Sequence, residues 1–168
     1  TTGDFDADGD VDAVFTNDGV KNSLQLWTNG GAANLSLANT FTTANGSDEI
    51  RNVISGDMNG DGSIDIVTTM KDTTNISQLG VWSNNGSGNF TPAFTTTAYR
   101  FRNLGVADLD LDGDLDVVTV VEDETYTFTG LLVFTNNGAG ALTEGSLITP
   151  TNTAFSVREH FTITDFDA

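Results

Sequence analysis

Short apolar stretches alternate with polar turns along the whole chain, and none carries apolar residues at helical spacing. Three β-branched stretches, VDAVFTND (11–18), IDIVTTMKD (64–72) and LDVVTVVED (115–123), read as strands. Each leads to a second apolar stretch that ends in an aromatic residue and a glycine-bearing turn: LQLWTNGG (24–31), LGVWSNNGSG (79–88) and LLVFTNNGAG (131–140). Asn-Gly pairs mark tight turns between antiparallel strands. Threonine-rich stretches such as FTPAFTTTA (90–98) predict a further strand, and IRNVISGD (50–57), FRNLGVAD (101–108) and HFTITD (160–165) another. The pattern predicts an all-β chain of four-stranded antiparallel units. Their approximate bounds are 1–49, 50–100 and 101–158, with a partial unit at 159–168, all within one repeat domain.

The same acidic segment separates the first strand of each unit from the second. It reads GDFDADGDVD (3–12), GDMNGDGSID (56–65) and ADLDLDGDLD (107–116), and the chain ends in its opening residues, DFDA (165–168). The leading aspartates Asp4, Asp57, Asp108 and Asp165 lie roughly 50 to 57 residues apart, a spacing in the range of propeller blades. Such crowding of like charge needs compensation if the segment is to be ordered.

Aligned, the loops read D-x-[DN]-x-D-G-x-x-D. Positions 1, 3, 5 and 9 carry Asp4, Asp6, Asp8 and Asp12; Asp57, Asn59, Asp61 and Asp65; and Asp108, Asp110, Asp112 and Asp116. Alternating carboxylates with a glycine at position 6 let the backbone wrap round a point and aim oxygens inward, as a hard cation with about six to eight oxygen ligands requires. Position 7 varies among Asp10, Ser63 and Asp114, as expected where the backbone carbonyl is the ligand. Oxygen-only donors favour Ca²⁺ over zinc or copper, and Mg²⁺ prefers to keep several waters. About three structural Ca²⁺ ions are therefore expected, with an incomplete fourth site at Asp165 and Asp167. An EF-hand is disfavoured, because position 12 holds Phe15, Thr68 and Thr119 instead of glutamate. The apolar residues at positions 2 and 8 (Phe5 and Val11, Met58 and Ile64, Leu109 and Leu115) are expected to anchor each loop in the core.

Composition sharpens this picture. Only 6 residues are Lys or Arg against 24 Asp or Glu, for a net charge of -18. Nucleic acid and anionic membrane surfaces are thereby disfavoured as partners, and cations are favoured. No apolar run is long enough to be read as a membrane-spanning helix. Cysteine is absent, which excludes disulfides and zinc-thiolate sites. The chain begins with Thr1 and shows no signal peptide, so it is expected to be a processed or partial chain. Sequons occur at Asn34, Asn45, Asn75, Asn85 and Asn89, and matter only in a source that glycosylates them.

The D-x-D-x-D-G-x-x-D loop, followed by a strand and then a hairpin with an aromatic residue and an Asn-Gly turn, resembles the FG-GAP/VCBS repeat of integrin α-subunits and secreted bacterial proteins. The resemblance spans nearly the whole chain and implies propeller blades with calcium in the loop between the first and second strands. It further implies an extracellular or cell-surface segment that serves adhesion, ligand binding or surface assembly, with a protein or carbohydrate ligand. Alternatives are an accessory propeller of a secreted polysaccharide-degrading enzyme and the subunit of an extracellular filament. Three blades are fewer than a closed propeller needs, so self-association through open blade edges is a further expectation.

No catalytic constellation stands out, and an enzyme is not expected. The single histidine, His160, sits in an expected strand, and no nucleophile elbow, phosphate loop or dinucleotide fingerprint is present. Glu122, Asp123 and Glu124 read as a solvated turn. Trp27, Trp82 and Phe134 recur at one repeat position; regular placement favours core between blades over a sugar-stacking surface.

Overall fold

The computed structural model describes residues 1–17, 23–43, 49–71, 77–97, 99–122 and 128–149. The expected sites at Asp165 and Asp167 lie outside these residues, as do His160, Asp123, Glu124, Asn45 and Asn75. Among the described residues there is no helix, and the strands form three four-stranded sheets. The first sheet contains β1 (Thr2–Gly3), β2 (Asp12–Asn17), β3 (Ser23–Asn29) and β4 (Leu35–Thr42). The second contains β5 (Glu49–Gly56), β6 (Asp65–Lys71), β7 (Ser77–Asn84) and β8 (Phe90–Thr97). The third contains β9 (Arg100–Ala107), β10 (Asp116–Glu122), β11 (Phe128–Asn136) and β12 (Leu142–Ile148). Every pairing is antiparallel and joins sequence neighbours, so each sheet is a meander, consistent with a propeller-type blade. The acidic segments connect β1 to β2, β5 to β6 and β9 to β10.

The core lies between sheets that stack face to face. One cluster joins Phe5, Val14, Leu24 and Leu26 of the first blade to Ile50, Ile66, Met70, Trp82 and Phe90 of the second. Another joins Met58, Val67, Leu79 and Val81 of the second blade to Phe101, Leu104, Val117, Val121, Leu132 and Phe134 of the third. β6 is therefore covered on both faces: Ile66 and Met70 meet the first blade and Val67 the third. This is why its sequence, DIVTTMK, is a continuous β-branched and apolar run. β2 has only one covered face, where Val14 is buried; Phe15 on the other is exposed. First strands lie near one another, with Asn52 Nδ2 on β5 donating to the Arg102 carbonyl on β9 at 3.2 Å, whereas β4 is exposed along nearly its whole length.

Two expectations need correction. Phe5 and Met58 anchor their loops as foreseen, but Val11 is 60% exposed and Leu109 40% exposed. Their repeat equivalents are covered by a neighbouring blade; among the described residues no blade precedes the first or follows the third. Glu122 is also no solvated turn residue: it ends β10 and contacts Arg102 Nε at 2.7 Å as an ion pair without hydrogen-bond alignment.

The loops demand left-handed backbone at two positions. Position 6 is always glycine (Gly9, Gly62 and Gly113, φ 94°, 86° and 98°), but position 4 holds Ala7, Gly60 and Leu111, at φ 61°, 69° and 65°. A left-handed conformation costs an L-residue about 1–2 kcal/mol, less for asparagine. Leu111 is 87% exposed and packing does not offset that cost. Leu111→Asn is expected to raise stability by about 0.5–1 kcal/mol in urea unfolding. A neutral or destabilising result would show that the leucine side chain has a role that its exposure does not reveal.

Candidate metal centres

Each acidic loop is organised by its own aspartates. In the first, Asp4 accepts the amides of Asp8 (3.2 Å) and Gly9 (3.0 Å), and Asp8 Oδ1 accepts that of Asp10 (2.9 Å). In the second, Asp57 accepts from Gly60 (2.8 Å) and Gly62 (2.9 Å), Asn59 from Asp61 (3.0 Å) and Asp61 from Ser63 (2.8 Å). In the third, Asp108 accepts from Gly113 (3.1 Å), Asp110 from Asp112 (3.3 Å) and Asp112 from Asp114 (3.0 Å). These amides wrap the backbone round the carboxylates and offset part of their repulsion.

The position 9 aspartates form a separate clamp. Asp12, Asp65 and Asp116 are buried, and each accepts from the amide of the position 2 residue: Phe5 (2.9 Å), Met58 (2.9 Å) and Leu109 (3.0 Å). The other oxygen accepts from the amide of the asparagine that ends the third strand: Asn29 (2.8 Å), Asn84 (2.7 Å) and Asn136 (2.9 Å). These asparagines were missed in the sequence because Asn29 belongs to an Asn-Gly pair and Asn84 and Asn136 directly precede one, so that all three read as part of a turn and nothing more. Their recurrence at one repeat position was the available signal.

The structure brings one carboxylate oxygen from each of Asp4, Asp6 and Asp8 within 4.8 Å of one another, and likewise Asp108, Asp110 and Asp116. Among the described residues the second loop forms no such acidic trio; its position 3 is Asn59. Asp6 Oδ1 and Asp108 Oδ1 are buried without a hydrogen-bond partner. A buried oxygen that lacks any donor is costly unless something positive meets it. Carboxylates only, buried acceptor atoms left over and no competing lysine or arginine in the loops: this donor set fits a hard divalent cation.

The electrostatics of the loop residues themselves point the same way. Asp6 is held above the ordinary carboxylate range, first by desolvation and then by the charges of Asp12, Asp8 and Asp4, against the opposing hydrogen bond from the Asp8 amide. Asp110 shifts upward through desolvation and the charges of Asp112 and Asp116. For Asp65 the burial outweighs the amides of Asn84 and Met58. Asp61 goes the other way, lowered by the amide and hydroxyl of Ser63.

No curated protein matches the chain. A model of the FG-GAP-like repeat matches residues 4–68 and again 57–119, each match running from the first aspartate of one loop to the strand beyond the next loop. The two overlapping matches cover more than half of the chain, and they coincide with the loop-and-blade period seen in the structure: the chain belongs to the FG-GAP-like repeat family.

Proposed function

We propose that this chain is a calcium-stabilised segment of an extracellular β-propeller, in which the ions are structural and the blade surfaces serve adhesion, ligand binding or surface assembly. The observation that carries the reading is the convergence of Asp4, Asp6 and Asp8, and of Asp108, Asp110 and Asp116, around buried oxygens that no donor satisfies. Side chains at positions 1, 3, 5 and 9, with the position 7 carbonyls of Asp10, Ser63 and Asp114, would hold the ion. In the second loop Asn59 would supply a neutral oxygen. The ion would supply positive charge where the fold concentrates negative charge, and nothing in this reading calls for catalysis. An extracellular setting suits such sites, because loops of modest affinity stay filled where calcium is abundant.

Thermal unfolding in excess Ca²⁺ and in EGTA tests the proposal. Each filled site is expected to stabilise by about 2.7 kcal/mol once free Ca²⁺ reaches 100 times its dissociation constant, so the melting temperature should climb with calcium. Asp6→Ala and Asp108→Ala should each remove part of the rise. Identical melting curves in Ca²⁺ and EGTA would overturn the proposal.

A further inference from the structure

We infer that Asn84 and Asn136 are latches between blades, each setting the geometry of the acidic loop in the blade before its own. The inference rests on the reading of those loops as cation sites. Phe5 lies between Asp4 and Asp6, and Met58 between Asp57 and Asn59, so each of these residues links two proposed ligands. Its amide is held from within the blade, by Asp12 or Asp65. Its carbonyl is held from outside. Asn84 Nδ2 of the second blade donates to the Phe5 carbonyl at 2.8 Å, across 79 residues of chain, and the Gly88 amide joins it at 2.8 Å. Asn136 Nδ2 of the third blade donates to the Met58 carbonyl at 2.7 Å, across 78 residues.

Both side chains also grip their own loop. Asn84 Nδ2 reaches the Ile64 carbonyl at 3.1 Å, and Asn136 Nδ2 the Leu115 carbonyl at 3.0 Å. Their Oδ1 atoms accept from the amides of Gly86 (3.2 Å) and Gly140 (3.1 Å), which fixes which way each amide group faces. One buried side chain thus bridges position 8 of its own loop and position 2 of the preceding one. The first blade supplies the comparison. Asn29 Nδ2 reaches its own Val11 carbonyl at 3.3 Å, no described blade precedes it, and its Oδ1 is buried without a partner. The bond that an interface adds is the one from the asparagine to the earlier loop. Cation affinity in one blade then depends on the docking of the next, and neighbouring sites are coupled.

The test uses the amides of Gly9, Gly62 and Gly113, which bond to the position 1 aspartates at 3.0, 2.9 and 3.1 Å and report one loop each. Their ¹⁵N–¹H resonances are followed through a Ca²⁺ titration of the full chain. Asn84→Ala is expected to weaken the Gly9 midpoint about tenfold, together with that of Gly62, and to spare Gly113. Asn136→Ala should weaken Gly62 and Gly113 and spare Gly9. A shift confined to the mutated residue's own blade, or an equal shift at all three glycines, would overturn the latch. If an alanine variant does not fold, Asn84→Asp and Asn136→Asp keep the Oδ1 acceptor and remove only the donor, with Asn29→Asp as the control for added charge. Should no glycine of the unmutated chain respond to Ca²⁺, the cation reading fails, and amide exchange decides the latch separately. Gly9 exchanging about tenfold faster in Asn84→Ala, with Gly113 unchanged, would sustain it. An unchanged Gly9 would overturn it.

Discussion

Replacing Asp65 by alanine is expected to cost about 3–5 kcal/mol of folding stability in EGTA, with no divalent cation present. Its two oxygens accept from the amides of Met58 at 2.9 Å and Asn84 at 2.7 Å, and the carboxylate is fully buried. Hydrogen bonds to a charged group contribute about 1.5–3 kcal/mol each, and their loss strands two amides away from water. A domain has only about 5–15 kcal/mol in total, so the unfolding midpoint in urea should move far toward lower denaturant. Asp65→Asn keeps one acceptor oxygen, so it should fall midway. Asp61→Ala in the same loop removes an exposed side chain that accepts the Ser63 amide at 2.8 Å, where water can take its place; in EGTA it is expected to change stability by about 0.5 kcal/mol or less. The contrast separates the clamp from the proposed ligand role. Equal, small effects of Asp65→Ala and Asp61→Ala would mean that the clamp holds nothing together.

The blade architecture was legible because its signals are local. Strand-length runs of β-branched residues, glycine-bearing turns and a repeated acidic loop each act within about ten residues. The acidic loops were legible for the same reason, since alternate aspartates and a left-handed glycine are a property of one short segment. What stayed hidden depends on a neighbour. Phe5, Met58 and Leu109 occupy one repeat position, yet Phe5 and Met58 are buried while Leu109 is 40% exposed, because among the described residues only the first two have a following blade against them. The same holds for the exposed Val11 beside the core-packed Ile64 and Leu115. The double use of position 9, as proposed ligand and as clamp, was also out of reach. It needs the amide of an asparagine 17 to 20 residues further on, across a hairpin whose register the sequence alone does not give.

Dependence on a neighbour also makes the recurring aromatic position a source of unequal effects. Trp82→Ala is expected to destabilise by about 3–5 kcal/mol, Trp27→Ala by about 1 kcal/mol. Trp82 is 1% exposed in the cluster between the first and second blades. Its indole donates to Thr68 Oγ1 at 3.0 Å, and its ring meets Phe94 edge-on, with centroids 5.7 Å apart. Truncation would open a cavity that rigid sheets on both sides cannot close, and would leave the Thr68 hydroxyl without its donor. Trp27 sits at the same repeat position on a face that no described blade covers. It stacks on the half-exposed Phe15 at 5.9 Å, and its indole reaches Gln25 Oε1 at 3.3 Å, contacts that water can largely replace. Chemical unfolding of the two variants measures the difference directly. A gap of at least about 2 kcal/mol is expected, because the transfer and cavity costs of a large side chain apply only where it is enclosed. If Trp27→Ala proved as damaging as Trp82→Ala, the leading face of the first blade would have to be covered in solution, and the difference between the two tryptophans would vanish with it.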